Sequence, residues 1–112
     1  MNRKIGRVKL PAAARRIARA ALRARASKPA SERFGEPHSV YVARRIAASQ
    51  TIDGDQALGF LRMTLPKYRA ELARGNRSPS SSDLVGVFFL WGGEPARVAL
   101  EKMRTSRPRN RR

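Results

Sequence analysis

The sequence predicts an all-α fold: a small helical domain of four to five short helices, flanked by basic, partly disordered N- and C-terminal arms. Three observations carry this. Apolar residues recur at helical spacing in most segments. Pro, Gly, Ser and Asn clusters punctuate them at short intervals. The longest apolar run, Leu84 to Trp91 broken only by Gly86, has no second strand candidate to pair with, so a buried helix is preferred there.

The charge frames the reading of the elements. The chain of 112 residues has 25 Lys plus Arg against 8 Asp plus Glu, a net charge of +17. Residues 1–28 hold ten of these bases and no acid: Arg3, Lys4, Arg7, Lys9, Arg15, Arg16, Arg19, Arg23, Arg25 and Lys28. Residues 104–112 hold five more and again no acid: Arg104, Arg107, Arg109, Arg111 and Arg112. The stretch between is nearly neutral. The organisation expected is a basic arm with an Arg-striped helix (1–28), a linker (29–38), a helical core (39–103) and a basic tail (104–112).

In chain order, Pro11 suits the first position of a helix running through AAARRIARAALRARA, where alanine dominates and propensity is high. Leu10, Ala14, Ile17, Ala18, Ala21 and Ala24 fall on one side; Arg15, Arg16, Arg19 and Arg23 fall within about a quarter of the circle opposite. Whether this helix packs on the core is left open by its thin, mostly alanine stripe. Residues 27–38 read as a linker that Phe34 tacks to the core. Ser39 is a candidate cap for a helix over 40–48, with Val42 and Ile46 as its ridge. SQTIDGD reads as a turn in which either Asp53 or Asp55 can cap the next helix; with Asp53 at the cap, Gln56 completes a capping box. Ala57, Leu58, Phe60, Leu61 and Leu65 give that helix its spacing, and Pro66 ends it. A helical segment follows and Gly75 terminates it. Ser82 or Asp83 caps the apolar helix, Gly92 and Gly93 stop it, and Glu94 and Pro95 restart a last helix with Ala96, Ala99, Leu100 and Met103 on one face.

These assignments absorb most residues that would otherwise suggest chemistry. The chain lacks cysteine and has one histidine, His38, which excludes thiol chemistry and argues against a zinc site. Asp53 and Asp55 are better read as caps than as metal ligands. No catalytic constellation, metal site or cofactor is expected, which leaves only a nuclease built from Glu, Lys and Tyr as an enzymatic alternative. The glycine pair before a helix N-terminus has the geometry to hold a phosphate, but Glu94 opposes an anion there and no phosphate-loop pattern is present. A helix-turn-helix from the 40–48 and 56–65 helices would offer a groove only Arg62 and Thr64.

Two segments resemble a family of small bacteriophage- and prophage-associated proteins. That family carries a motif like [AIV]xLLWGGD, preceded by a segment like ARxLxxxxxLSxxxxxRMxxYF. Here VFFLWGGEP stands at 87–95 and ARRIAASQTIDGDQALGFLRMTLPKY at 43–68. Glu94 replaces the usual Asp, and Pro95 the usual Ala. The resemblance covers about residues 40–103 and implies a phage context; it supplies no catalytic residues.

The function expected is non-catalytic, largely sequence-independent binding of nucleic acid, with the fifteen arm residues on the phosphate backbone. DNA is placed ahead of RNA, although RNA fits the charge as well. The few aromatics are assigned to the core, which disfavours stacking on single-stranded bases. If about six phosphates are engaged, log K should fall with log salt at a slope of about −5. The alternative is a phage structural or assembly protein whose arms dock acidic partners or packaged DNA, with a homodimer possible around so small a core. The expected location is cytoplasmic and nucleoid-associated, or within a phage particle. No membrane partner is expected.

Overall fold

The computed structural model describes residues 6–74 and 79–106, and the side chains of all of these except 71–72 and 103–106. The fold is all-α. Five helices run α1 (Ala12–Ala26), α2 (Pro37–Ala48), α3 (Gly54–Thr64), α4 (Lys67–Ala73) and α5 (Ser81–Ser106), with a 3₁₀ turn at Ala30–Glu32.

The question left open for α1 is answered: it packs on the core. Ala14, Ile17, Ala18 and Ala21 have no exposed surface, and Leu10 and Ala24 are buried with them. Leu10, Ala14, Ile17 and Ala18 belong to the same cluster as Val42, Ile46, Phe60, Leu61 and Phe88. The most extensive helix contacts in the fold are those of α1 with α5, followed by α1 with α2. The alanine stripe, too thin to promise much area, works by proximity: small side chains let helix axes approach closely. Residues 10–24 therefore lie in one core with the 39–103 stretch.

Gly92 is the counterpart of that stripe on α5. A Cβ built there would lie 2.9 Å from Ala21 Cβ and 3.0 Å from Ala21 Cα, closer than packed carbons approach. Gly93 then breaks the helix, with φ +64° and ψ −141°, a region that glycine alone adopts readily. The expected glycine stop and restart are thus both present, and Pro95 lies in the first turn of the second half.

Four aromatic rings fill the corner where α3, α5 and the 27–36 segment meet. Trp91 meets Phe34 edge-on at 5.0 Å and Phe60 at 5.8 Å, while Phe60 and Phe88 lie 5.0 Å apart. Phe34 does tack the linker to the core. Gly35, at φ +90°, brings the backbone so close to the Trp91 indole that any side chain there would run into it.

Several local expectations are corrected. Residues 7–9 and 51–53 form a two-stranded antiparallel ribbon, β1 (Arg7–Lys9) and β2 (Thr51–Asp53), pairing Val8 with Ile52. Strands of three residues carry too little alternation to stand out, and a register across more than forty residues leaves no local signal. Helix α2 begins at Pro37, with Glu36 before it and no side-chain cap; Ser39 is instead buried, its hydroxyl 3.9 Å from Met63 Sδ. Asp53 does cap α3, accepting from the Asp55 amide at 2.7 Å, but Gln56 Oε1 is buried without a partner, so the reciprocal half of the box is absent. At α5 the cap is Ser80, whose hydroxyl takes the Asp83 amide at 3.1 Å. The Asp83 carboxylate accepts from the Tyr68 hydroxyl and lies 3.6 Å from Lys67 Nζ. Pro66 follows the end of α3 as expected, whereas Gly75 and the three residues after it lie outside the described residues.

Candidate nucleic-acid interface

The structure divides the arginines of α1 by what holds them. Arg15 donates to the Leu10 carbonyl at 3.3 Å, and Arg25 to the Phe34 carbonyl at 2.8 Å. Arg25 thereby ties the end of α1 to the linker, and both side chains are half-buried. Arg7, on β1, grips Thr51 across the ribbon, with Nη2 2.9 Å from Oγ1. These three are engaged in holding the fold.

Arg16, Arg19 and Arg23 are exposed and sit on one ridge of α1, at i, i+3 and i+7. They line an open groove of about 270 Å³ whose other wall is the second half of α5, contributed by Ala99 and Lys102. Among the described residues, no carboxylate lines this groove. Like charges at i, i+3 and i+4 repel, so the ridge is held at an electrostatic cost that a bound anion would relieve. Part of that cost is offset at Arg23, in the last turn of α1, where the helix dipole favours a cation.

The break at Gly93 positions the second wall. The apolar half of α5 is sunk into the core through Leu84, Val87 and Phe88. Redirected at Gly93, the second half lies along α1, with Ala96 buried against the core and Lys102 on the rim of the groove. Lys102 is the residue that sequence reasoning missed. It belongs to the nearly neutral middle of the chain, yet it stands one helical turn beyond Ala99, just outside the edge of the face assigned inward; that register is the signal for it.

Lys9 and Lys28 do not line the groove. Lys9 is exposed on β1, and its carbonyl accepts from Ser81 at 2.6 Å, which anchors the start of α5. Lys28 is exposed just past α1. Arg104 falls in the last turns of α5, where only the backbone is described, and Arg3, Lys4, Arg107, Arg109, Arg111 and Arg112 lie outside the described residues. Of the helix-turn-helix candidates, Thr64 is turned back onto the Phe60 carbonyl at 2.7 Å, leaving Arg62 exposed on α3.

Beside the groove, Glu94 and Arg97 pair across one turn, with Arg97 Nε 3.1 Å from Glu94 Oε1. The hydrogen bond from Arg97 holds the Glu94 carboxyl below its ordinary range, and Glu94 in turn raises Arg97. Glu94 is thereby occupied in its own helix. Among the described residues, no group of three or more His, Asp or Glu side chains gathers to hold a metal ion. No helix of the described residues is long and apolar enough to cross a membrane. No family model matches this chain, no curated protein matches it in sequence, and no solved structure matches it.

Proposed function

We propose that this protein is a non-catalytic nucleic-acid-binding protein that engages the phosphate backbone largely without reading sequence, DNA ahead of RNA. The observation that carries the reading is the ridge of Arg16, Arg19 and Arg23 facing Lys102 across an open groove that, among the described residues, no carboxylate lines. Guanidinium groups fork onto phosphate oxygens, and a row of them follows a backbone without discriminating bases. The acid-free segments 1–28 and 104–112 extend the same chemistry beyond the groove. The resemblance to phage-associated proteins is compatible with this role on packaged or replicating DNA.

The test is a fluorescence-anisotropy titration of a labelled random-sequence oligonucleotide across a salt series, with the full chain and with Arg16, Arg19 and Arg23 all changed to alanine. These side chains are exposed, so the variant keeps its fold. Affinity falls in the variant, and the salt slope becomes shallower by about 3, as expected when about three phosphate contacts are lost. If the wild type shows no binding at low salt, docking on acidic protein surfaces replaces this reading.

A further inference from the structure

The groove does not end at its arginines. Arg23, Ala99 and Lys102 also line a second concavity of about 330 Å³, so the two are one cleft with a shared wall. The rest of the second lining is Ala20, Ala24, Pro95 and Val98, all apolar. Val98 is 40% exposed, one of the few large apolar side chains so placed among the described residues. The cleft is thus cationic at Arg16 and Arg19, apolar at Ala24, Pro95 and Val98, and bounded between them by Arg23 and Lys102.

The apolar end follows from the break in α5. At a restarting helix the first amides have no carbonyl partner within the helix and need solvent or a cap. Proline at 95 removes one such donor, and its ring presents carbon in that place. The alanines of α1 that admit α5 closely at Gly92 continue as Ala20 and Ala24 into the floor.

A duplex backbone has no use for such an end, because its bases are paired and turned inward. A free nucleotide has use for both ends: a phosphodiester for the guanidiniums and an unpaired base whose flat face sheds water on an apolar surface.

We infer that the cleft between α1 and the second half of α5 seats one nucleotide of a single strand, its phosphate on Arg16, Arg19, Arg23 and Lys102 and its base against Pro95 and Val98. This rests on the nucleic-acid reading above and names its substrate: single-stranded nucleic acid in preference to duplex. Most of the aromatic side chains pack in the core, but Tyr41 is exposed on α2, against expectation; none of them lines this cleft, and the base contact is aliphatic, from Pro95 and Val98.

The experiment compares oligothymidylate with a duplex of equal length, at one salt concentration, on the full chain. A surface that reads phosphates alone favours the duplex, whose charge density is higher. Here the single strand binds more tightly. Val98→Gln, at a surface position, weakens single-strand binding about fivefold and leaves duplex binding unchanged, whereas Val98→Trp, which adds a stacking face, strengthens the single strand alone. If the duplex binds as tightly as the single strand and Val98→Gln changes neither, the inference is overturned. The nucleic-acid reading then stands so long as the triple arginine variant weakens both. If that variant binds both as tightly as the wild type, the groove has no role and both fall. If phosphatidylglycerol vesicles displace the oligonucleotide and bind more tightly, the bipartite cleft is a lipid-headgroup site and the inference is likewise overturned.

Discussion

The two halves of α5 differ more from each other than any two helices of this fold. Before Gly93 the helix is apolar and sunk among Phe60, Phe34 and α1, and its conspicuous residues, Trp91 and Gly92, pack against Phe34, Phe60 and Ala21. After Gly93 it is thinner, carries an ion pair and a lysine, and forms one wall of an open cleft. The same division runs along α1, whose alanine face is buried and whose Arg16, Arg19 and Arg23 edge is exposed. The unusual residues of the chain build the scaffold, and its plainest ones, arginine and alanine, build the candidate site.

That contrast can be broken by substitution. Variants in the first half of α5 should change stability and leave the salt slope of binding alone, while variants of the cleft should do the reverse. The largest loss is expected from Phe88→Ala, which empties a fully buried site against Phe60 and costs about 3–5 kcal/mol in a urea melt. Gly92→Val should follow, at about 1–3 kcal/mol, since its side chain must displace the backbone of Ala21. Gly93→Ala should cost about 1–2 kcal/mol: the space is open, so only the left-handed φ is penalised, and thermal denaturation would separate it from Gly92→Val.

The smallest effect is expected at Glu94. Its folded pKa is lowered, so its pairing with Arg97 favours the folded state above the ordinary carboxylate pKa and is lost as pH falls through the lowered value. Both side chains are open to solvent, which screens the pair. Arg97→Ala should therefore return the Glu94 titration, followed by NMR, to the ordinary carboxylate range with almost no change in melting temperature.

Much of this was legible in the chain, for reasons that differ by residue. The stripe from Leu10 to Ala24, a cap at Asp53 or Asp55, the end of α3 before Pro66 and the stop at Gly92 and Gly93 are local, and each is written within a few residues of where it acts. The β1–β2 pairing, the Ser80 cap chosen over its neighbours and the burial of Ser39 depend on partners far along the chain or on competition between adjacent polar groups. The candidate site divides in the same way. Arg16, Arg19 and Arg23 are visible as a helical stripe, but their separation from Arg15 and Arg25 is set by the Leu10 and Phe34 carbonyls. Lys102 enters only when the break in α5 brings a distant helix alongside.

The central claim is that α1 supports the fold on one face and binds on the other. It is tested most directly by measuring melting temperature and salt-dependent affinity side by side on one protein, the triple variant Arg16→Ala, Arg19→Ala, Arg23→Ala. The melting temperature should be unchanged or slightly raised, because like-charge repulsion is removed, and the salt slope should be shallower by about 3. A variant that unfolds, or one that binds with the wild-type slope, would contradict it.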